Sequence, residues 1–181
     1  MAGTETAVDT TWLSDTEAEA WRSLLAVVVQ LPGVLSSQLQ RDSGIGMFEY
    51  IVLSGLSMSD DRMLRMSALA EFANGSLSRL SNVVKRLEQQ GWVRRQPDPT
   101  DGRYTVALLT DAGWDKVVAA APGHVRAARQ LVFDPLTDEQ VRQLADTASL
   151  IAAQLRCGLP PEVECGAASD PCGESGSTEP C

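Results

Sequence analysis

Apolar residues recur at spacings of three and four from Trp21 through Leu24, Leu25, Val28, Leu31 and Leu35 to Leu39. Residues 17–39 are therefore expected to form a long helix with one apolar face. Pro32-Gly33 lies inside it and is expected to kink or split it. Residues 46–55 are apolar almost all round (Met47, Phe48, Tyr50, Ile51, Val52, Leu53), the pattern of a buried helix. The rhythm changes over residues 66–113. A short helix over 67–73 meets Asn74-Gly75, and a second helix begins near Ser76 or Ser78 and ends at Gln90. Its inward stripe reads Leu77, Leu80, Val84, Leu87. Residues 92–96 and 104–109 read as strands around the polar tip 97–103, and 62–66 as one short strand that pairs with them. Thr110 can cap a helix starting at Asp111 and running to Val132, with a kink at Pro122-Gly123, and Asp134-Pro135 ends it. Thr137 with Gln140 is a capping box for a last helix striped by Val141, Leu144, Ala148, Ile151 and Leu155.

Helix, turn, helix, strand, tip, strand is the order of a winged helix-turn-helix. The expected fold class is mainly α with a small β-wing, a winged helix-turn-helix flanked by long helices forming a dimerisation region. The expected divisions are a flexible N-terminus (1–16), a helical dimerisation region (17–57 and 111–156), the DNA-binding domain (58–110) and a disordered acidic tail (157–181). The dimer is expected because a module of about 45 residues has too little surface to cover three long apolar stripes.

Composition alone points away from nucleic acid: the 181 residues carry a formal net charge of −9. Distribution reverses this. Residues 62–103 hold eight basic and four acidic side chains, a local +4, and the remainder carries −13. A basic module in an acidic scaffold suits a protein that meets phosphate with one face. No apolar run approaches the 18 residues needed to span a bilayer, and residues 1–14 lack a signal core, so a cytoplasmic, membrane-free protein is expected. One histidine, no nucleophile motif and no phosphate-cradling glycine loop leave no support for an enzyme. No cofactor is expected.

The second helix carries Ser76, Ser78, Arg79, Ser81, Asn82, Lys85 and Arg86 off its apolar stripe. Arg can grip guanine through O6 and N7, and Asn can pair with adenine through N6 and N7. Helix N-termini favour phosphate. Arg103 at the hairpin tip can enter the electronegative minor groove, with Asp101 placed to orient it by a charge-assisted hydrogen bond. An amphipathic helix with a solvated outer face would explain the helix alone. The hairpin favours a DNA reader.

The ordered set Glu49-Tyr-Ile-Val-Leu53, Met66-Ser-Ala-Leu-Ala-Glu71, Arg86-Leu-Glu-Gln-Gln-Gly-Trp-Val-Arg94, Asp101-Gly-Arg103 and Leu109-Thr-Asp-Ala-Gly113 resembles the multiple-antibiotic-resistance regulator (MarR) family of bacterial transcription factors. It spans roughly residues 17–155. The resemblance implies a homodimer with interlocked N- and C-terminal helices on a pseudo-palindromic double-stranded operator. It implies a reading helix in the major groove, with Ser67, Ser76, Ser78, Arg79, Ser81, Asn82, Lys85 and Arg86 as contacts, and a wing with Asp101 and Arg103. The family often has Arg at Asn82 and a second basic residue at Gly102. The implied function is a sequence-specific regulator, a repressor released by a small aromatic or phenolic effector bound between the helical region and the winged module. Trp21, Tyr50, His124 and Arg126 could serve that effector but read first as core or surface, so the ligand residues are left unassigned.

All four cysteines (Cys157, Cys165, Cys172, Cys181) fall in the tail, without a Cys-x-x-Cys pair, so a structural zinc site is not expected. The family's oxidation sensors keep a cysteine in the first helix, and this chain has none there. Two alternatives stand beside the leading reading: a redox- or metal-responsive regulator acting through these cysteines, and a winged helix that binds protein.

Overall fold

A computed structural model describes residues 12–157. The chain divides into two units, Met1–Pro135 and Leu136–Cys181. In the first, α1 (Asp15–Ser43) starts two residues earlier than its apolar stripe suggests, because Ser14 and Glu17 form a capping box. Ser14 Oγ–H donates to Glu17 Oε2 at 2.6 Å and Ser14 N–H to the same oxygen at 2.8 Å, and these bonds, the hydroxyl's first, lower the Glu17 carboxyl below its usual range. Gly44 at φ 65° closes the helix. Pro32 does not split it. A proline inside a helix costs about 3 kcal/mol, and a 29-residue helix capped at both ends withstands that. Averaged over 18 residues, α1 has a mean hydropathy of 1.3. This corrects the expectation that nothing in the chain matches a bilayer span in length and apolarity.

α2 (Met47–Met58) buries Val52, Leu53 and Leu56. A 3₁₀ turn (Asp60–Arg62) leads to β1 (Met63–Arg65). α3 (Met66–Phe72) and α4 (Leu77–Gln89) follow, then β2 (Val93–Pro97) and β3 (Thr105–Leu109). The sheet is antiparallel in the order β1-β3-β2, with Leu64 opposite Ala107 and Arg95 opposite Ala107 from the other side. The short strand before α3 thus does pair with the wing. α5 (Asp111–Ala128) passes through Pro122 unbroken and ends in a π-helical turn, Arg129–Phe133.

The core gathers Leu39 and Ile45 with Leu53 and Leu56 of α2, Leu69 of α3, Leu80, Val84 and Leu87 of α4, and Val93, Ala107 and Leu109 of the sheet. Two close approaches set the α2–α3–α4 packing. A side chain at Gly55 would meet the Phe72 ring at 2.6 Å, and one at Gly75 the Phe48 ring at 2.7 Å. A third fixes the wing base, where Gly113 lies against the Trp92 carbonyl. There Thr110 accepts from Gly113 N–H at 3.1 Å and donates to the Gly91 carbonyl at 2.7 Å, tying the end of α4 to the start of α5.

In the second unit, α6 (Asp138–Cys157) begins at the expected Thr137–Gln140 capping box. The helix continues through Cys157, while Cys165, Cys172 and Cys181 lie outside the described residues.

Candidate nucleic-acid interface

α4 is the helix that could read a base sequence, because its inner face is fully committed and its outer face is free. Leu80, Val83, Val84 and Leu87 are buried. This corrects the expected stripe: Val83 takes the inward place assigned to Leu77, and Leu77 is 55% exposed. Leu77 is the first residue of the helix, where the chain has not yet turned its i, i+3 face onto the core. Ser76 caps the helix, its Oγ accepting from Arg79 N–H at 3.2 Å and lying 3.1 Å from Ser78 Oγ. The turn before it places Asn74 at φ 48°. Ser78, Asn82 and Lys85 are exposed and Ser81 is half-buried, all on the free side. Ser67 is exposed on α3.

Arg79 and Arg86 lean the other way, toward α2. The Arg79 guanidinium stacks over Phe48 at 4.1 Å, and Arg86 makes two 3.2 Å bonds to Glu49 Oε1. Both border a cleft of about 660 Å³ whose other walls include Pro32, Gly33, Phe48 and Glu49. The expected reading set is therefore split by geometry into a free group and a group tied to the helix behind it.

The wing tip is built around two aspartates. Asp101 holds Arg103 in a bidentate pair, Nε to Oδ1 at 2.9 Å and Nη2 to Oδ2 at 2.6 Å, while the arginine side chain stays 82% exposed. That bonding depresses the Asp101 carboxyl. Asp98 was not foreseen. It is buried and accepts Thr100 N–H at 2.8 Å, Thr100 Oγ–H at 2.7 Å and Arg65 Nε–H at 2.5 Å. The Thr100 bonds, then Arg65, hold its carboxyl well below the usual range. Arg65 also lies over the Tyr104 ring at 4.5 Å. The only local signal for Asp98 was an Asp-Pro-Thr turn; its arginine sits 33 residues away in sequence.

Five of the eight basic residues in this segment have carboxylate partners: Arg62, Arg65, Arg86, Arg95 and Arg103. Among the described residues, Arg79, Lys85 and Arg94 are in no such pair.

The MarR family model matches residues 43–103, which hold α2, the helix-turn-helix, β2 and the wing tip and end just before β3. The Streptomyces coelicolor MarR family transcriptional regulator Sco3205, solved in complex with DNA, is 43% identical, with 84% of this chain and 97% of that one covered and a TM-score of 0.77. The chain belongs to the MarR family. A second MarR regulator of that organism, AbsC, is 38% identical over 82% of this chain and 99% of its own, also at a TM-score of 0.77. The HTH-type transcriptional regulator YdcH of Bacillus subtilis is 39% identical over 54 residues, which spans only 37% of its length and 30% of this chain. The MarR assignment accounts for the mostly helical architecture with its small winged sheet, and for the position of the basic segment within an acidic chain.

Proposed function

We propose that this MarR-family protein is a sequence-specific DNA-binding transcriptional regulator, acting as a homodimer on a pseudo-palindromic operator and repressing until a small ligand releases it. The observation that carries the reading is the pairing of a free α4 face with a wing arginine held outward by Asp101. In this reading Ser78, Ser81, Asn82 and Lys85 approach the major groove, Ser67 and Ser76 a backbone phosphate, and Arg103 the minor groove. A dimer is supported by α1, where Trp21, Val28 and Val29 of the long helix are half-exposed or more within one chain.

Release by a ligand is supported by the 660 Å³ cleft. Its walls include Arg79 and Arg86, so a guest that recruits either guanidinium away from Phe48 or Glu49 would act directly on the reading helix.

A gel-shift titration against the DNA upstream of the protein's own gene, with non-specific competitor and varied salt, tests the reading. Binding that survives competitor supports it. Binding that competitor abolishes at every salt concentration would return the winged helix to a protein-binding role.

A further inference from the structure

The exposed Leu77 is the one feature of the reading surface that hydrogen bonding and charge do not use. It is 55% exposed at the first position of α4, and the neighbouring outward residues, Ser76, Ser78, Ser81 and Asn82, are all polar. Leu77 also lines a cavity of about 330 Å³ between α4 and the wing, together with Met66, Ser67, Ser81, Arg103 and Tyr104. The cavity has an apolar wall of Leu77 and Met66 and a rim of hydroxyls and guanidinium. Among the major-groove edges of the four base pairs, only thymine offers an apolar group, its C5-methyl. The first residues of a reading helix are those that reach base edges.

The geometry points to Leu77 as a specificity-determining residue that seats a thymine C5-methyl in each operator half-site. The inference rests on α4 being the reading helix. Leucine has no acceptor for the N4 amino group of cytosine, so a cytosine there leaves a donor dehydrated and unpaired. Thymine is therefore selected over cytosine at that base pair by contact on one side and by an unmet donor on the other. Arg103 lies on the same rim, oriented by Asp101, and in the proposed reading serves the adjacent minor groove.

The test removes the methyl and nothing else. Duplexes enriched by the full-length wild-type protein from a random-sequence pool are remade with deoxyuridine at one thymine at a time. Deoxyuridine keeps the O4 acceptor and the pairing with adenine. One thymine per half-site is expected at which this change weakens the wild type about fourfold, the worth of one buried methyl group. Leu77→Ser should bind the thymine and uracil duplexes equally at that position. Leu77→Met should keep the discrimination. Circular dichroism melting of each variant confirms that the fold is retained. Enrichment without any uracil-sensitive thymine, or a Leu77→Ser variant that keeps the wild-type sensitivity, overturns the assignment while leaving the DNA-reading function standing. Failure of the wild type to enrich any sequence overturns both.

Discussion

At the scale of single residues, ion pairing decides what each charge can do. Arg103 is the most exposed of the paired arginines, and its partner Asp101 points it outward rather than quenching it. Arg103→Ala should weaken binding to every duplex and lower the slope of log affinity against log salt by about one. An unchanged slope would remove Arg103 from the interface. Local spacing made this pair legible, since Asp101 and Arg103 are two residues apart. Arg65 with Asp98 and Arg86 with Glu49 were not legible, because only folding brings residues 33 and 37 positions apart together. His124, the only histidine of the sequence, reads first as core or surface. The structure sets its ring 4.5 Å from Tyr50, with a buried Nδ1 that has no hydrogen-bond partner among the described residues. Burial pushes its pKa below the ordinary value of 6.5. The unfolded chain then takes up a proton near pH 6.5 that the folded chain refuses, so stability falls as pH drops from 6.5 toward the folded pKa. Melting temperature should decline between pH 7.5 and 5.5 in the wild type and decline less in His124→Gln. Equal declines would assign the effect to carboxylates.

At the scale of elements, the readable part was periodicity and caps, and the hidden part was what each face meets. Residues 46–55 could be placed from a near-continuous apolar run, 67–73 from the Asn74-Gly75 turn that ends it, the last helix from its stripe, and the starts at Thr110 and Thr137 from their capping patterns. The Ser14–Glu17 box obeys the same rule and shows that α1 could have been started correctly. Leu77 fits the helical stripe by spacing yet faces solvent, because a helix's first turn overhangs the core that its later turns cover. Pro32-Gly33 was expected to kink or split α1, yet the helix runs unbroken from its Ser14 cap to Gly44, with Leu35 and Leu39 buried beyond the proline. Gly113 had no visible role in the sequence beyond the family pattern. Its position against the Trp92 carbonyl makes it the point of closest packing between the wing base and α5. A methyl group there meets backbone, which cannot rotate aside. Gly113→Ala should destabilise the protein by about 1–3 kcal/mol, read as a lower urea midpoint. Because Trp92 leads directly into β2, the same variant should also lose DNA affinity beyond what its unfolded fraction explains. A midpoint equal to wild type would mean that the strand and helix separate freely.

At the scale of the whole molecule, the question is what covers α1. Its C-terminal half is committed to the core through Leu35 and Leu39, whereas Trp21, Val27, Val28 and Val29 are each at least half exposed. Aliphatic and aromatic side chains in that density are not a normal monomer surface. A membrane could satisfy such a helix by length and mean hydropathy, but its C-terminal half is packed in a globular core and so is not available to lipid. A second copy of the chain would satisfy the exposed half and would also give the two-fold axis that the proposed pseudo-palindromic operator needs. Val28→Asp separates these outcomes. The site is exposed in the single chain, so the aspartate leaves the fold intact, and it places a charge where an apolar partner would have to pack. Light scattering should find the wild type at twice the 19.4 kDa chain mass and the variant at once that mass. Losing the second half-site should then cost the variant about a hundredfold or more in operator affinity, because the linked second contact is what multiplies the first. Binding to a single half-site at high protein concentration should persist, since α4 and the wing are untouched. A variant that stays dimeric would move the interface off this face of α1, and a wild type that is monomeric when bound to DNA would dismiss the dimer itself.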